Sequence, residues 1–169
     1  MMTNKSLTRL ASYLETCQLP PVRELQYEKQ NTDYEGMSFQ LQQQSFRSRL
    51  AKKTPTKTGY FVVFWEKDES GTNQAFYYQD SPDYLLVFVI DGGREGVFTF
   101  PKELLRQQGI LQTDSQKGKM GIRVYPSWVT DLNPSAKKTQ DWQTPHFTET
   151  TSNWLHSPLY QVLLSTKKG

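Results

Sequence analysis

Between Glu35 and Glu66 the chain has no Asp or Glu, yet that interval carries Arg47, Arg49, Lys52, Lys53 and Lys57. In a protein of 169 residues with a net charge of only +3, the bias is local and strong. Inside the interval the pattern is ordered. Phe46, Ser48 and Leu50 alternate with Arg47 and Arg49. In a strand, a period of two puts Phe46 and Leu50 on one face and both arginines on the other. The expectation is a hydrophobic edge turned to a core and two guanidinium groups turned outward. Thr54–Gly59 then reads as a turn, and Tyr60–Trp65 as a buried strand, because β-branched and aromatic residues fill it. A basic strand, a basic turn and a core strand make a platform suited to polyanions.

The length fits one domain over residues 1–169 with one substantial core. Aromatic residues at 13% supply enough apolar surface to exclude a disordered chain. Cys17 is the single cysteine, so no intramolecular disulfide forms and a reducing compartment is expected. The N-terminal stretch has no apolar run of signal-peptide length, and no segment approaches a membrane span. Cytoplasmic residence and a monomer are the expectations. Cys17 shares helical spacing with Leu10 and Leu14, which places it in a core. If it is instead exposed, oxidation links two chains through it. Both polar ends, including Lys167-Lys168-Gly169, are expected to fray.

Leu7, Leu10, Ala11, Leu14 and Cys17 predict an amphipathic helix over residues 5–17, stopped by Pro20-Pro21. Val22–Lys29 reads as a second, short helix. Asn31–Gly36 is a polar turn. From Ser38 to Lys52 the spacing predicts one long strand with a bulge. Lys67–Asn73 is a loop, Ala75–Tyr78 a short strand, and Ser81-Pro82-Asp83 a turn. Tyr84–Ile90 is the most apolar run and predicts a central strand. Asp91–Gly96 turns it into Val97–Phe100 as a hairpin. Pro101 opens a helix over Lys102–Gln108 with Gly109 as its stop. Asp114–Lys119 is a loop, Gly121–Tyr125 a strand, Asn133-Pro134 the start of a helix reaching Gln143, and Ser157–Ser165 a last helix. The sum is an α/β (α+β) domain with a mixed sheet of five or six strands.

A second basic stretch follows in Lys117-Gly118-Lys119-Met120-Gly121-Ile122-Arg123-Val124-Tyr125. Its glycines let backbone amides approach an anion. Arg123 and Tyr125 share a face, a cation for phosphate beside a ring for an unpaired base. The alternative is a hairpin loop with solvated lysines. Trp128, Trp142, Tyr60 and Tyr125 either stack on bases or pack at the core's rim.

Three segments, AKKTPTKTGYFVVFW, GREGVFTFPKELLRQQGIL and GKMGIRVYPSW, resemble in order and distance the MepB family of small bacterial proteins. The likeness covers roughly residues 45–145. It implies a fold similar to type II restriction endonucleases, a mixed central sheet flanked by helices, and with it a nucleic-acid ligand.

A nuclease of that kind needs an acid followed by an Asp/Glu-x-Lys triplet to hold Mg²⁺ and orient water. Pro82-Asp83 supplies the first part. No lysine has an acid two positions before it, and Asp91-Gly92-Gly93 offers glycine where lysine is needed. Glu95 and Lys102 remain as a pair that the fold would have to bring together. Asp80, Asp83 and Asp91 are more simply turn residues. His146 and His156 lack partners at metal-ligand spacing, no nucleotide-binding glycine motif occurs, and no cofactor is expected. The reading is a non-catalytic nucleic-acid-binding protein with little sequence preference, inclined to single strands. Its phosphate contacts are Arg47, Arg49, Lys52, Lys53, Lys57, Lys117, Lys119 and Arg123, with Tyr125 as the stacking ring. The alternatives are a Mg²⁺-dependent nuclease built on Asp83, Asp91 or Glu95, and a module that binds an acidic protein or a small ligand.

Overall fold

The computed structural model describes residues 4–150 and 157–165. The expected fraying of the extreme ends, and His156, lie outside these residues. In chain order the elements are α1 (Lys5–Thr16), β1 (Arg23–Tyr27), β2 (Met37–Leu41), β3 (Gln44–Leu50), β4 (Lys52–Lys53), β5 (Tyr60–Val63), β6 (Glu66–Lys67) and β7 (Asn73–Gln74). They continue with β8 (Tyr84–Asp91), β9 (Arg94–Pro101), α2 (Lys102–Gln107), β10 (Gly121–Val124), α3 (Pro134–Gln143), β11 (Phe147–Glu149) and α4 (Pro158–Ser165). A six-stranded sheet runs β1-β2-β3-β8-β9-β11, and a three-stranded sheet runs β10-β5-β4. Within the larger sheet only β3 and β8 pair in parallel, so it is mixed.

Period-two alternation in β8 assigns the two faces. Leu86 and Phe88 point to one side, where they meet Phe39, Phe46 and Val97 under Leu10 and Leu14 of α1 and Leu159 and Leu163 of α4. Leu85, Val87 and Val89 point to the other, where they join Phe98 and Phe100 beneath Val62, Ile122 and Val124 of the smaller sheet. Each fully buried side chain of this size contributes about 1.5–3 kcal/mol of transfer free energy. Helix α1 is fixed at its start twice over. The Asn4 side chain accepts from the Leu7 amide at 2.8 Å, and the Glu35 carboxylate accepts from the Lys5 and Ser6 amides.

Three elements differ from the sequence reading. Residues 23–27 form an edge strand instead of a helix: β1 pairs antiparallel with β2, and pairing outweighs a weak helical pattern. The single bulged strand over Ser38–Lys52 is two strands, because Gln42 adopts a φ of 55° and turns β2 into β3. Ala75–Tyr78 is not a strand; Ala75 and Phe76 are buried, and Tyr77 makes one isolated bridge to Gln112. The central strand and the helices at Lys102 and Pro134 lie where the sequence puts them; the turn expected over Asp91–Gly96 is tighter, since β9 already begins at Arg94, which pairs with Asp91.

Strand β3 corrects the largest expectation. Phe46 and Leu50 do face a core opposite Arg47 and Arg49, but the arginine face is also covered. Arg47 and Arg49 stand beside Leu85 and Val87 in register; the smaller sheet covers Arg49, and Phe76 lies against Arg47. Arg49 is 0% exposed. Its Nε donates to the Val63 carbonyl at 3.1 Å, and Nη1 and Nη2 donate to the two Glu28 carboxylate oxygens at 2.7 and 2.8 Å. Asn31, also buried, donates to Glu28 and to the Trp65 carbonyl, which joins the same network to the start of β6. Removing one partner of a buried ion pair strands the other charge. Glu28→Ala is therefore expected to cost about 3 kcal/mol or more in urea unfolding, with part recovered in Glu28→Ala/Arg49→Met.

Candidate functional site

With Arg47 and Arg49 drawn inside, Lys52 and Arg123 stand on the outer face of the smaller sheet, while Lys53, paired with Tyr60, turns to the opposite side beside Asp91. In β5, Tyr60 and Val62 point to the core and Phe61 points away; in β10, Ile122 and Val124 point in and Arg123 away. Lys52 pairs with Phe61, and Phe61 pairs with Arg123. The result is one cross-strand row of cation, ring and cation. The Lys52 ammonium lies 5.1 Å from the Tyr34 ring centre, Tyr34 meets Phe61 edge-on at 6.3 Å, and the Arg123 guanidinium lies 5.7 Å from Phe61. Gly121 matters here. A Cβ at that position would come within 2.5 Å of the Phe61 ring, so glycine lets the ring lie across β10.

Arg123 is also an anchor. It donates to the Thr54 hydroxyl at 3.0 Å and to the Thr58 carbonyl at 3.1 Å, which holds the exposed turn carrying Lys57 against the sheet. Gln143, fully buried at the end of α3, accepts from the Tyr125 amide and donates to the Arg123 carbonyl, so its amide stands in for a further strand along β10. Lys117 and Lys119 are exposed in the loop entering β10, and the Lys119 amide is tied to the Ile110 carbonyl. Among the described residues, Lys52, Lys57, Lys117, Lys119 and Arg123 have no carboxylate partner, whereas Lys53 lies 3.8 Å from Asp91.

Tyr125 does not serve as a stacking platform. Its ring is buried against Gly59, where φ is +83° and a Cβ would come within 2.7 Å of the ring. The strand ends at Val124, so the alternation that would have turned Tyr125 outward beside Arg123 stops one residue short. The other rings pack inward too. Trp128 donates to the Tyr60 hydroxyl and meets Phe147, and Trp142 packs on Phe100. Phe61 and Tyr34 were missed by the sequence reading. Phe61 sat inside a run read as buried throughout, although period two already placed it opposite Tyr60 and Val62. Tyr34 had no signal, since a turn of the chain brings it there.

The carboxylates considered for metal chemistry are apart and occupied. Asp83 accepts from the Ser45 amide and hydroxyl, clamping the starts of β3 and β8 together. Asp91, at the other end of β8 and roughly 25 Å away along the strand, accepts from the Tyr60 hydroxyl at 2.6 Å. Burial first, and then that carboxylate, push the Tyr60 phenol up to about 12. Glu95 pairs with Ile90, on the opposite face of the sheet from Asp91, and takes a bidentate ion pair from Arg9 that holds its carboxyl below the usual range. Glu95 and Lys102 stand at opposite ends of β9 and do not meet. No group of three or more His, Cys, Asp or Glu able to hold a metal ion occurs among the described residues. No helix there is long and apolar enough to cross a membrane.

A mixed sheet layered between helices and a small second sheet, with a cationic row on that second sheet, defines the class as α/β. The chain belongs to the MepB-like family, whose profile matches residues 28–149. It is similar to a solved structure described as "Crystal Structure of MepB", with 44% identity over 89% of this chain and 100% of that one and a TM-score of 0.80. No curated protein matches.

Two side chains outside the row titrate informatively. His146 packs near the Phe100 ring, and burial lowers its pKa. Its unfolded form binds the proton more readily, so stability is retained above about pH 6.5 and lost as pH falls from there through the lower folded value. The urea midpoint is expected to fall over that window, and His146→Gln to flatten the fall. Burial raises the Cys17 thiol. Alkylation at mildly alkaline pH is expected to be slower in the native protein than in urea.

Proposed function

We propose that this protein binds nucleic acid without catalysis, along the outer face of β4-β5-β10. The supporting observation is the in-register row Lys52–Phe61–Arg123, with Tyr34 beside it and Lys57 on the turn that Arg123 anchors. Cations at strand spacing neutralise successive phosphates, and half-exposed rings offer π-faces to unpaired bases. That combination favours single strands and little sequence preference. Lys117 and Lys119, exposed in the loop that enters β10, are taken with this surface. Lys53 leaves the set because it pairs with Tyr60 and turns to the Asp91 side, and Arg47, Arg49 and Tyr125 leave it because they are turned inward. The reading is of binding alone because Asp83, Asp91 and Glu95 each serve a separate structural contact. It is a monomer acting in the cytoplasm.

With about five phosphates contacted on a single strand, affinity is expected to drop roughly a hundredfold between about 50 and about 200 mM salt. Lys52→Ala and Lys57→Ala are each expected to weaken oligonucleotide binding uniformly across sequences and to lower the salt slope by about one. Fluorescence anisotropy with labelled single-stranded and duplex DNA and RNA checks both. Binding that is indifferent to salt, or to these two lysines, refutes the reading.

A further inference from the structure

The sheet face that is apolar on β8 and β9 changes character on β1, β2 and β3. There the residues on the same side are Gln26, Ser38 and Arg47 in one cross-strand row, and Gln40 and Ser45 in the next. The smaller sheet covers Leu85, Val87 and Phe98 but leaves this part as an open groove of about 700 Å³. That is within the range of small-molecule sites. Ser81 and Pro82 form one wall, and Glu24 and Asp80 stand exposed at its rim.

Arg47 is set into this groove with unusual bonding. Its guanidinium lies 3.7 Å from the Phe76 ring centre, a cation–π contact. Its one ion-pair contact, Nε to Glu28 at 3.5 Å, is long, because Glu28 is already held in two short bonds by Arg49. The Nε is buried without a hydrogen-bond partner. Two guanidinium groups thus share one close carboxylate, with Glu66 only a more distant neighbour. Burial first, and Arg49 in addition, lower the Arg47 pKa to about 10, so the site disfavours its own cation. An anion delivered through the groove would offset that cost.

We infer that the Arg47 groove binds a small polar ligand with one anionic head, a carboxylate or a phosphate, on a hydroxyl-rich body. The head meets the guanidinium, which is built for such oxygens. Gln26, Ser38 and Gln40 offer amide and hydroxyl partners to the body. Glu24 and Asp80 at the rim repel an extended polyanion, so this is not a second nucleic-acid track. None of these residues belongs to the Lys52–Phe61–Arg123 row.

The test follows the Arg47 Nε–H resonance of the ¹⁵N-labelled full chain. Inorganic phosphate, acetate, glucose 6-phosphate, glucuronate and uncharged glucose are titrated into the millimolar range. Glucose 6-phosphate or glucuronate is expected to move that resonance saturably, together with the Gln26 and Ser38 amides, and to bind at least about tenfold more tightly than glucose. The member of that charged pair that binds identifies the head. Arg47→Met is expected to remove binding, and Gln26→Ala, an exposed change on the edge strand, to weaken it severalfold. Should Arg47→Met not fold, the wild-type resonance and Gln26→Ala decide. No movement of the Arg47 signal with any probe, glucose binding as well as its charged counterparts, or saturable binding unchanged by either substitution overturns the inference. Oligonucleotide affinity is expected to be unchanged in Gln26→Ala, which separates this site from the cationic row.

Discussion

A guanidinium buried between two sheets has to be neutralised and hydrogen-bonded, or the sheets separate around it. Arg49 satisfies that demand with Glu28, the Val63 carbonyl and the Ser48 carbonyl. Its position is the reason so much else follows. Arg49 stands on the larger sheet, Val63 on the smaller one, and Glu28 just beyond the edge strand. One side chain therefore ties three parts of the chain that are distant in sequence. Gly36 is packed against the same group, since a Cβ there would lie 3.2 Å from Arg49 Nη1. A buried pair of this kind adds little net stability over a hydrophobic replacement, whereas removing one partner leaves an uncompensated buried charge. An alternative packing of the two sheets would leave the charge unpaired.

The alternation in Gln44–Leu50 was legible without coordinates, and so was the separation of Phe46 from the two arginines. What period two cannot say is which face is wet. A strand with apolar residues on one side and arginines on the other looks like a surface strand, because arginines seldom lie fully buried. Glu28, the residue that makes burial possible, lies in a segment read as a helix, outside the acid-free interval. The same limit explains Tyr125. Its side was read from a strand that ends one residue earlier, and Gly59 receives the ring. In both cases the missing information is a contact across the fold, absent from any local pattern.

Where the sequence was informative about the candidate site, it worked through spacing. Lys52, Phe61 and Arg123 come from three strands, and only pairing register makes them a row. The basic composition of both stretches is visible and leads to the expectation that they converge on one sheet face; which cations share that face is decided by the pairing register. The carboxylates give the complementary lesson. Asp83, Asp91 and Glu95 read as alternative metal-site acids because they stand near where a nuclease motif would have its carboxylates. A long antiparallel hairpin separates residues near in sequence, carrying the first to one end and the other two to opposite faces at the far end.

The larger sheet shows how one face can hold both a core and a ligand groove. Over β8 and β9 its side chains are aliphatic and aromatic, and a second sheet covers them. On the neighbouring strands β3 and β2 they are arginine, serine and glutamine, and these line an open groove. The change occurs at β3, the strand that carries both arginines. Arg49 lies on the covered side of that boundary and has its carboxylate. Arg47, two residues earlier, lies on the open side and shares the same carboxylate at longer range. The pair that fixes the packing thus leaves its neighbour under-bonded next to solvent. A charge held against a ring, short of one acceptor, in a polar groove is arranged to meet an anion from outside.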